Sequence, residues 1–274
     1  MNLFLPKFRW RRDLPDTRTD ELFALQTHPK ILDIMQEILG EEITATPLYH
    51  VNFKLATADL QLADRIAGMA GANLGRERFY NLPVGKTHWH MDAVAGLADS
   101  HDTPVVNAWI PLTHANEENG CLRVVPGSHQ NGIRHELDGD DLERRALSLI
   151  VAPGDVIILD SKVIHSSVPN ISKADYRWAY NFRYAPTRQP NGRPFLPGFV
   201  ARSRVAPQTV LRDPATWRLM WIRALDYLSA HGSPVSYGSL RRPSLADAQA
   251  ISRQWEALVP DIESWLKLGE ERVG

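Results

Sequence analysis

Between Ile43 and Tyr184 the chain is cut into short β-branched and aromatic runs: ITATP, YHVNFKL, RFYNL, VVNAWIPL, CLRVV, VIILD and WAYNFRY. Turn-forming residues divide them, among them Asn119-Gly120, Pro126-Gly127 and Pro153-Gly154-Asp155. Many strands with few helices between them select an antiparallel sandwich or barrel over an alternating α/β fold. Helical periodicity is confined to the flanks. Residues 29–39, PKILDIMQEIL, space Ile31, Ile34, Met35, Ile38 and Leu39 as one apolar face between Pro29 and Gly40. After Val205, Asp213-Pro214 caps a second helix with Trp217, Met220, Trp221, Leu225 and Leu228 on one stripe, ending near Gly232, and a further helix is expected from Ser244. The stretch from Ala185 to Pro197, rich in Pro, Arg and Gly, is expected to be a long loop.

With 274 residues, 43% of them hydrophobic, the chain can bury a substantial core without disulfides. We therefore expect a mainly β protein with flanking helices and a single domain over 1–274. Its β core would cover about 43–186, its N-terminal helix about 29–39 and its C-terminal helical extension about 205–270.

Formal charge is −1 and the isoelectric point about 6.8, so no basic field is available to draw in nucleic acid or anionic lipid. The expected partner is a small molecule. Cys121 is the only cysteine, which excludes an internal disulfide and a thiolate metal cluster. Pro6 and the arginines at 9, 11 and 12 interrupt the N-terminal apolar residues, so neither a signal peptide nor a membrane span is expected, and the location expected is the cytoplasm.

Residues 87–92 read THWHMD, with His88, His90 and Asp92 at alternate positions. On a strand, side chains two apart share a face about 7 Å from each other, whereas those four apart are separated by about 13 Å. One ion is therefore held either by His88 with His90 or by His90 with Asp92. A third group is available downstream, because His165 follows the run VIILD at a place where a neighbouring strand could return it to the same ion. A His-x-Asp pair with a distant His is the 2-His-1-carboxylate arrangement that leaves three adjacent positions open on iron. Arg177, twelve residues beyond His165 at the start of what reads as the last strand, is suited to grip a carboxylate through two parallel hydrogen bonds. A dicarboxylate chelating iron at one end and held by Arg177 at the other would be 2-oxoglutarate.

Taken together, Trp89-His90-Met91-Asp92, Asn107-Ala108-Trp109-Ile110-Pro111-Leu112, Asn119-Gly120-Cys121-Leu122, Pro126-Gly127-Ser128-His129, His165-Ser166-Ser167, Asn170 and Arg177 resemble the phytanoyl-CoA dioxygenase family of non-haem Fe(II)/2-oxoglutarate oxygenases. The resemblance implies a double-stranded β-helix, a jelly-roll of the cupin kind. It also implies His90, Asp92 and His165 as ligands of Fe(II), with O2 as the oxidant. Arg177 and Ser167 would meet the distal carboxylate of 2-oxoglutarate, Trp109 would line the cosubstrate pocket, and Asn81 would add a polar contact. Met91 departs from the Gln frequent in relatives, and Ser166 from a frequent Gly; neither removes a ligand. The presence of Asp92 favours hydroxylation or desaturation over halogenation.

Competing roles are structural. His88 reads as a packing group or an outer partner of a ligand, His129 as a brace in its turn, Trp89 as packing, Trp109 as cosubstrate wall or core, and Arg183 as the competitor of Arg177. A redox-silent cupin-like metalloprotein, an isomerase or hydrolase with zinc or manganese on His88, His90 and His165, is the alternative enzyme. A binding module with a vestigial site is the alternative without chemistry. Tyr80, Arg123, Arg183 and Arg188 are candidate substrate contacts, and these arginines favour a polar or acidic substrate. The sequence leaves monomer and homodimer both open.

Overall fold

The computed structural model describes residues 18–60, 87–96, 100–134, 137–193 and 196–231, which fall into two units. The first comprises the described residues of 49–92 and 107–181; the second comprises those of 4–48, 93–106 and 182–274.

In the first unit, β3 (Thr87–His90), β8 (His165–Ser167), β5 (Leu122–Val124) and β6 (Leu147–Leu149) form an antiparallel sheet in that order. A second sheet joins β2 (His50–Lys54), the first half of β9 (Arg177–Pro186), β4 (Val106–Pro111) and β7 (Ile157–Asp160). Trp109, Ala179, Ile157 and Leu159 of this sheet pack with Leu122 and Leu149 of the other, around fully buried Ala115 and Cys121. Alternation along each strand sends these residues inward, so two sheets close on one apolar layer. The arrangement is the double-stranded β-helix expected from the sequence, and its one cysteine is a core residue.

Turn chemistry sets the connections. Gly120 and Gly127, in the Asn119-Gly120 and Pro126-Gly127 pairs, adopt φ of +106° and +73°. Ser128 follows, and its Oγ accepts the buried N–H of Ile164 at 2.8 Å, fixing the residue before His165. The brace in the PGSH turn is thus the Ser128 hydroxyl. The short helix α3 (Gly139–Arg145) begins at Asp138, whose carboxylate accepts the N–H groups of Asp140 and Asp141; we follow chain order in labelling helices α1 to α4.

In the second unit, β1 (Glu42–Ala45) lies between β10 (Phe199–Ser203) and the second half of β9. Arg177 therefore does not open the last strand: β10 comes after it, its alternation carried by Phe199, Ala201 and Ser203, of which only the first is large and apolar. The loop expected from Ala185 to Pro197 starts later than anticipated, because Ala185 and Pro186 still pair with β1. Helices α1 (Asp20–Gln26), α2 (Pro29–Leu39) and α4 (Pro214–His231) complete the unit. Phe23, Phe199 and Trp217 cluster with ring centroids 5.4 to 6.4 Å apart.

The bounds of α2 match the sequence expectation, but its buried face does not. Ile31, Leu32, Met35 and Gln36 are buried, while Ile34 and Ile38 are 42% and 52% exposed. Leu32 and Gln36 extend the arc begun by Ile31 and Met35, and the two exposed isoleucines lie past its edge. In α4, Trp217, Trp221 and Ala224 are buried; the side chains of Leu225 and Leu228, like the helix expected from Ser244, lie outside the described residues. No helix among the described residues is long and apolar enough to cross a membrane.

Candidate metal centre

His90 on β3 stands opposite His165 on β8 in the antiparallel register, and their rings lie 4.2 Å apart between centroids. A register irregularity between Thr87 and His90 precedes the site. The strand then ends, and Asp92 opens a single 3-10 turn, Asp92–Ala95, that swings its carboxylate back to the two rings. His90 Nε2 is 3.7 Å from Asp92 Oδ1, and His165 Nε2 is 4.0 Å from Oδ2. All three ligand atoms lie within 4.8 Å of one another. Neighbouring strands thus give the two imidazoles, and the break after β3 gives the acid.

Both imidazoles are held in the same tautomer. The carbonyls of His88 and Val163, each two residues upstream, lie 2.8 and 3.0 Å from Nδ1 of His90 and His165. A carbonyl can only accept, so each Nδ1 carries a proton, and in the neutral ring each Nε2 is left with a lone pair toward the focus. That is the donor state a metal requires. His88 is exposed and stands outside the converging group, so the alternative ligand set His88, His90 and His165 is not assembled.

The second sheet supplies the rest. Asn107 and Trp109 alternate on β4, and Arg177, Ala179 and Asn181 on β9, all buried. Asp92 Oδ2 accepts from Asn107 Nδ2 at 2.6 Å and from Asn181 Nδ2 at 3.4 Å. Arg177, about 13 Å along β9 from Asn181, is 3% exposed; its Nε donates to the Gly120 carbonyl at 3.1 Å and its Nη1 to that of Asn52 at 3.3 Å. Its guanidinium also lies 5.4 Å from the ring centre of Trp109, whose buried Nε1–H has no hydrogen-bond partner. Among the described residues no carboxylate pairs with Arg177.

Sequence reasoning missed Lys54. It is cross-strand from Arg177, fully buried, and donates to the carbonyl of Val168. Burial, reinforced by the Arg177 charge beside it, lowers its pKa from the ordinary 10.5 to about 6. Lys54 and Arg177 are thus two buried basic groups side by side on neighbouring strands. Nothing in a lone lysine on a strand announced this, since lysine usually marks a solvent face; only its pairing with Arg177 does.

Of the remaining candidates, Ser167 and Arg123 have partners of their own. Ser167 Oγ donates to Thr87 Oγ1 at 2.7 Å. Arg123 pairs on β5 with Ser166, on the opposite face from His165, and its guanidinium holds Glu143 of α3 and lies 5.6 Å from the ring centre of Trp89. Trp89 itself donates to Glu143, so it packs as expected. Arg183 is buried in the second unit, and Arg188 is exposed in the turn after β9 with φ +70°. Tyr80 and Asn81 lie outside the described residues.

Two packed antiparallel sheets focusing His, Asp and His are the build of a metal-binding double-stranded β-helix. The model of the phytanoyl-CoA dioxygenase family, PhyH, matches residues 9–179, and the chain belongs to that family. It is 30% identical over 76 residues to phytanoyl-CoA dioxygenase 1 of Oryza sativa, a match covering 23% of this chain and 27% of that protein. It is 24% identical over 187 residues to 1-deoxypentalenic acid 11-beta-hydroxylase of Streptomyces exfoliatus, covering 61% and 58%. The chain thus spans between about a quarter and three fifths of these curated relatives. Among solved structures, the nickel complex of the non-heme monooxygenase ThoJ shares the fold, with a TM-score of 0.53 and 16% identity over 83% of this chain and 79% of that one.

Proposed function

We propose that residues 1–274 act as one domain, a non-haem Fe(II)/2-oxoglutarate-dependent dioxygenase that hydroxylates or desaturates a small molecule at an unactivated C–H, releasing succinate and carbon dioxide. The observation that carries this reading is the convergence of His90 Nε2, His165 Nε2 and the Asp92 carboxylate within 4.8 Å. The donor set fits the ion: two neutral imidazoles and one carboxylate satisfy three positions of an octahedral Fe(II) and leave three for exchangeable ligands. Bound iron with 2-oxoglutarate supplies the activation of dioxygen and the oxidising power.

The chain's own groups bind and orient. The backbone carbonyls of His88 and Val163 keep both imidazoles in the ligating tautomer. Arg177, and Lys54 once it takes up a proton, present cationic donors to the distal carboxylate of the cosubstrate. Trp109 walls the pocket with its ring and offers its Nε1–H. Desolvation there strengthens each charge-assisted bond to the anion. The substrate is a small organic molecule whose oxidised carbon is the one held nearest the open side of the ion.

The test is anaerobic addition of Fe(II) and 2-oxoglutarate to the purified chain. A metal-to-ligand charge-transfer band in the visible is expected, and succinate should form once air is admitted. A chain that gives neither is not this oxygenase. Asp92→Ala should abolish both, whereas a His-only cupin site would tolerate it.

A further inference from the structure

We propose that Asn107 and Asn181 are positioning residues that hold Asp92 as a one-oxygen ligand. This rests on reading the site as an Fe(II)/2-oxoglutarate centre and adds what keeps that centre open. The two carboxamides come from different strands, β4 and β9, and both aim Nδ2 at the same oxygen, Asp92 Oδ2, at 2.6 and 3.4 Å. The other oxygen, Oδ1, is the one nearest His90 Nε2, at 3.7 Å, while His165 Nε2 lies 4.0 Å from Oδ2.

An ionised carboxylate oxygen has about two lone-pair directions. Two N–H donors on Oδ2 occupy both, which turns Oδ1 to the metal. Were Asp92 to chelate through both oxygens, it would take one of the three positions that the triad leaves vacant. A keto acid needs two of those and dioxygen the third, so a chelating aspartate would compete with one of them.

The asparagines are retained at a cost. They are 1% and 8% exposed, and each leaves its own Oδ1 buried without a hydrogen bond. A site selected for packing alone would place apolar side chains there. Nor can either amide turn over, because its oxygen would then face the carboxylate. Their orientation is therefore dictated by Asp92.

The experiment compares the full chain with Asn107→Ala and Asn181→Ala, drawn from different strands so that failure of one variant to fold leaves the other. Co(II) alone is titrated calorimetrically and by its visible spectrum, which reports coordination number; 2-oxoglutarate is then titrated into Co(II)-loaded and metal-free protein. Asn107→Ala should lower Co(II) affinity by about 10-fold, the lower end of the loss expected for an outer partner of a ligand, change the cobalt spectrum, and weaken 2-oxoglutarate binding to loaded protein by about 10- to 100-fold. Binding to metal-free protein should not change. Asn181→Ala, with the longer bond, should do the same more weakly. Folded variants with the parent's spectrum and affinities overturn the proposal, as does loss of Co(II) binding with no selective loss of 2-oxoglutarate. A parent chain that binds Co(II) but not 2-oxoglutarate sinks the oxygenase reading instead, and the cobalt spectra still decide the role of the asparagines. A parent that takes up no Co(II) sinks both.

Discussion

His90 and His165 face each other across two antiparallel strands with their rings 4.2 Å apart and both Nδ1 atoms tied to carbonyls two residues upstream. On the proposed function each ring supplies one position on a shared ion. His165→Ala should therefore lower Fe(II) or Mn(II) affinity by more than the ~10- to 100-fold seen when only an outer partner is lost. His88→Ala should leave affinity within a few-fold, because its side chain lies outside the converging group. Calorimetric titration of both variants checks this.

Arg177 and Lys54 stand cross-strand, and in the proposed function both meet the distal carboxylate of the cosubstrate. A hydrogen bond to a charged group contributes about 1.5–3 kcal/mol, so Arg177→Met should raise the 2-oxoglutarate dissociation constant by roughly 10- to 150-fold. Lys54→Met should act in the same direction. Metal affinity, read separately without cosubstrate, should hardly move.

The depressed pKa of Lys54, about 6, gives the pocket a pH signature. Above pH 6 the amine of the empty protein is neutral, and an arriving dicarboxylate draws a proton onto it. Affinity for 2-oxoglutarate should accordingly fall as pH rises above 6, with up to one proton taken up per molecule bound. Calorimetry in buffers of different ionisation enthalpy measures that proton, and Lys54→Met should abolish it. Stability has its own sign: between about pH 6 and 10.5 the unfolded chain binds more protons at this position, so the Lys54 contribution rises with pH across that window.

Gly120 cannot carry a side chain. At φ +106° a Cβ would come 2.5 Å from Lys54 Cδ and 3.1 Å from the Val168 carbonyl. Gly120→Ala should cost about 1–3 kcal/mol from the backbone conformation alone, visible as a lower urea midpoint. It should also weaken 2-oxoglutarate binding, since the Gly120 carbonyl holds Arg177.

Much of this was legible in the chain. Pro29 and Gly40 bracket α2, and the triad was readable because His-x-Asp and a remote His sit among turn residues with their own spacing. The remainder was hidden for identifiable reasons. Helices α1 and α3 are seven residues each, too short for periodicity to register, and are held by capping at Thr19 and Asp138. In β10 the inward positions include Ala201 and Ser203, which leave little apolar alternation to read. Asn107 and Asn181 carry no signal until the strands bring them to Asp92, because nothing local distinguishes an asparagine that orients a carboxylate from one that closes a turn.

The close approach at residue 120 reaches beyond this molecule. Because that position supports Arg177 through its main chain and leaves room for Lys54 by its lack of bulk, a descendant could, on the proposed function, forfeit cosubstrate capture by one point change while His90, Asp92 and His165 all survived. A survey of relatives that counts histidines, aspartate and arginine alone would score such a protein as competent; inspecting the residue after Asn119 would expose it as silent.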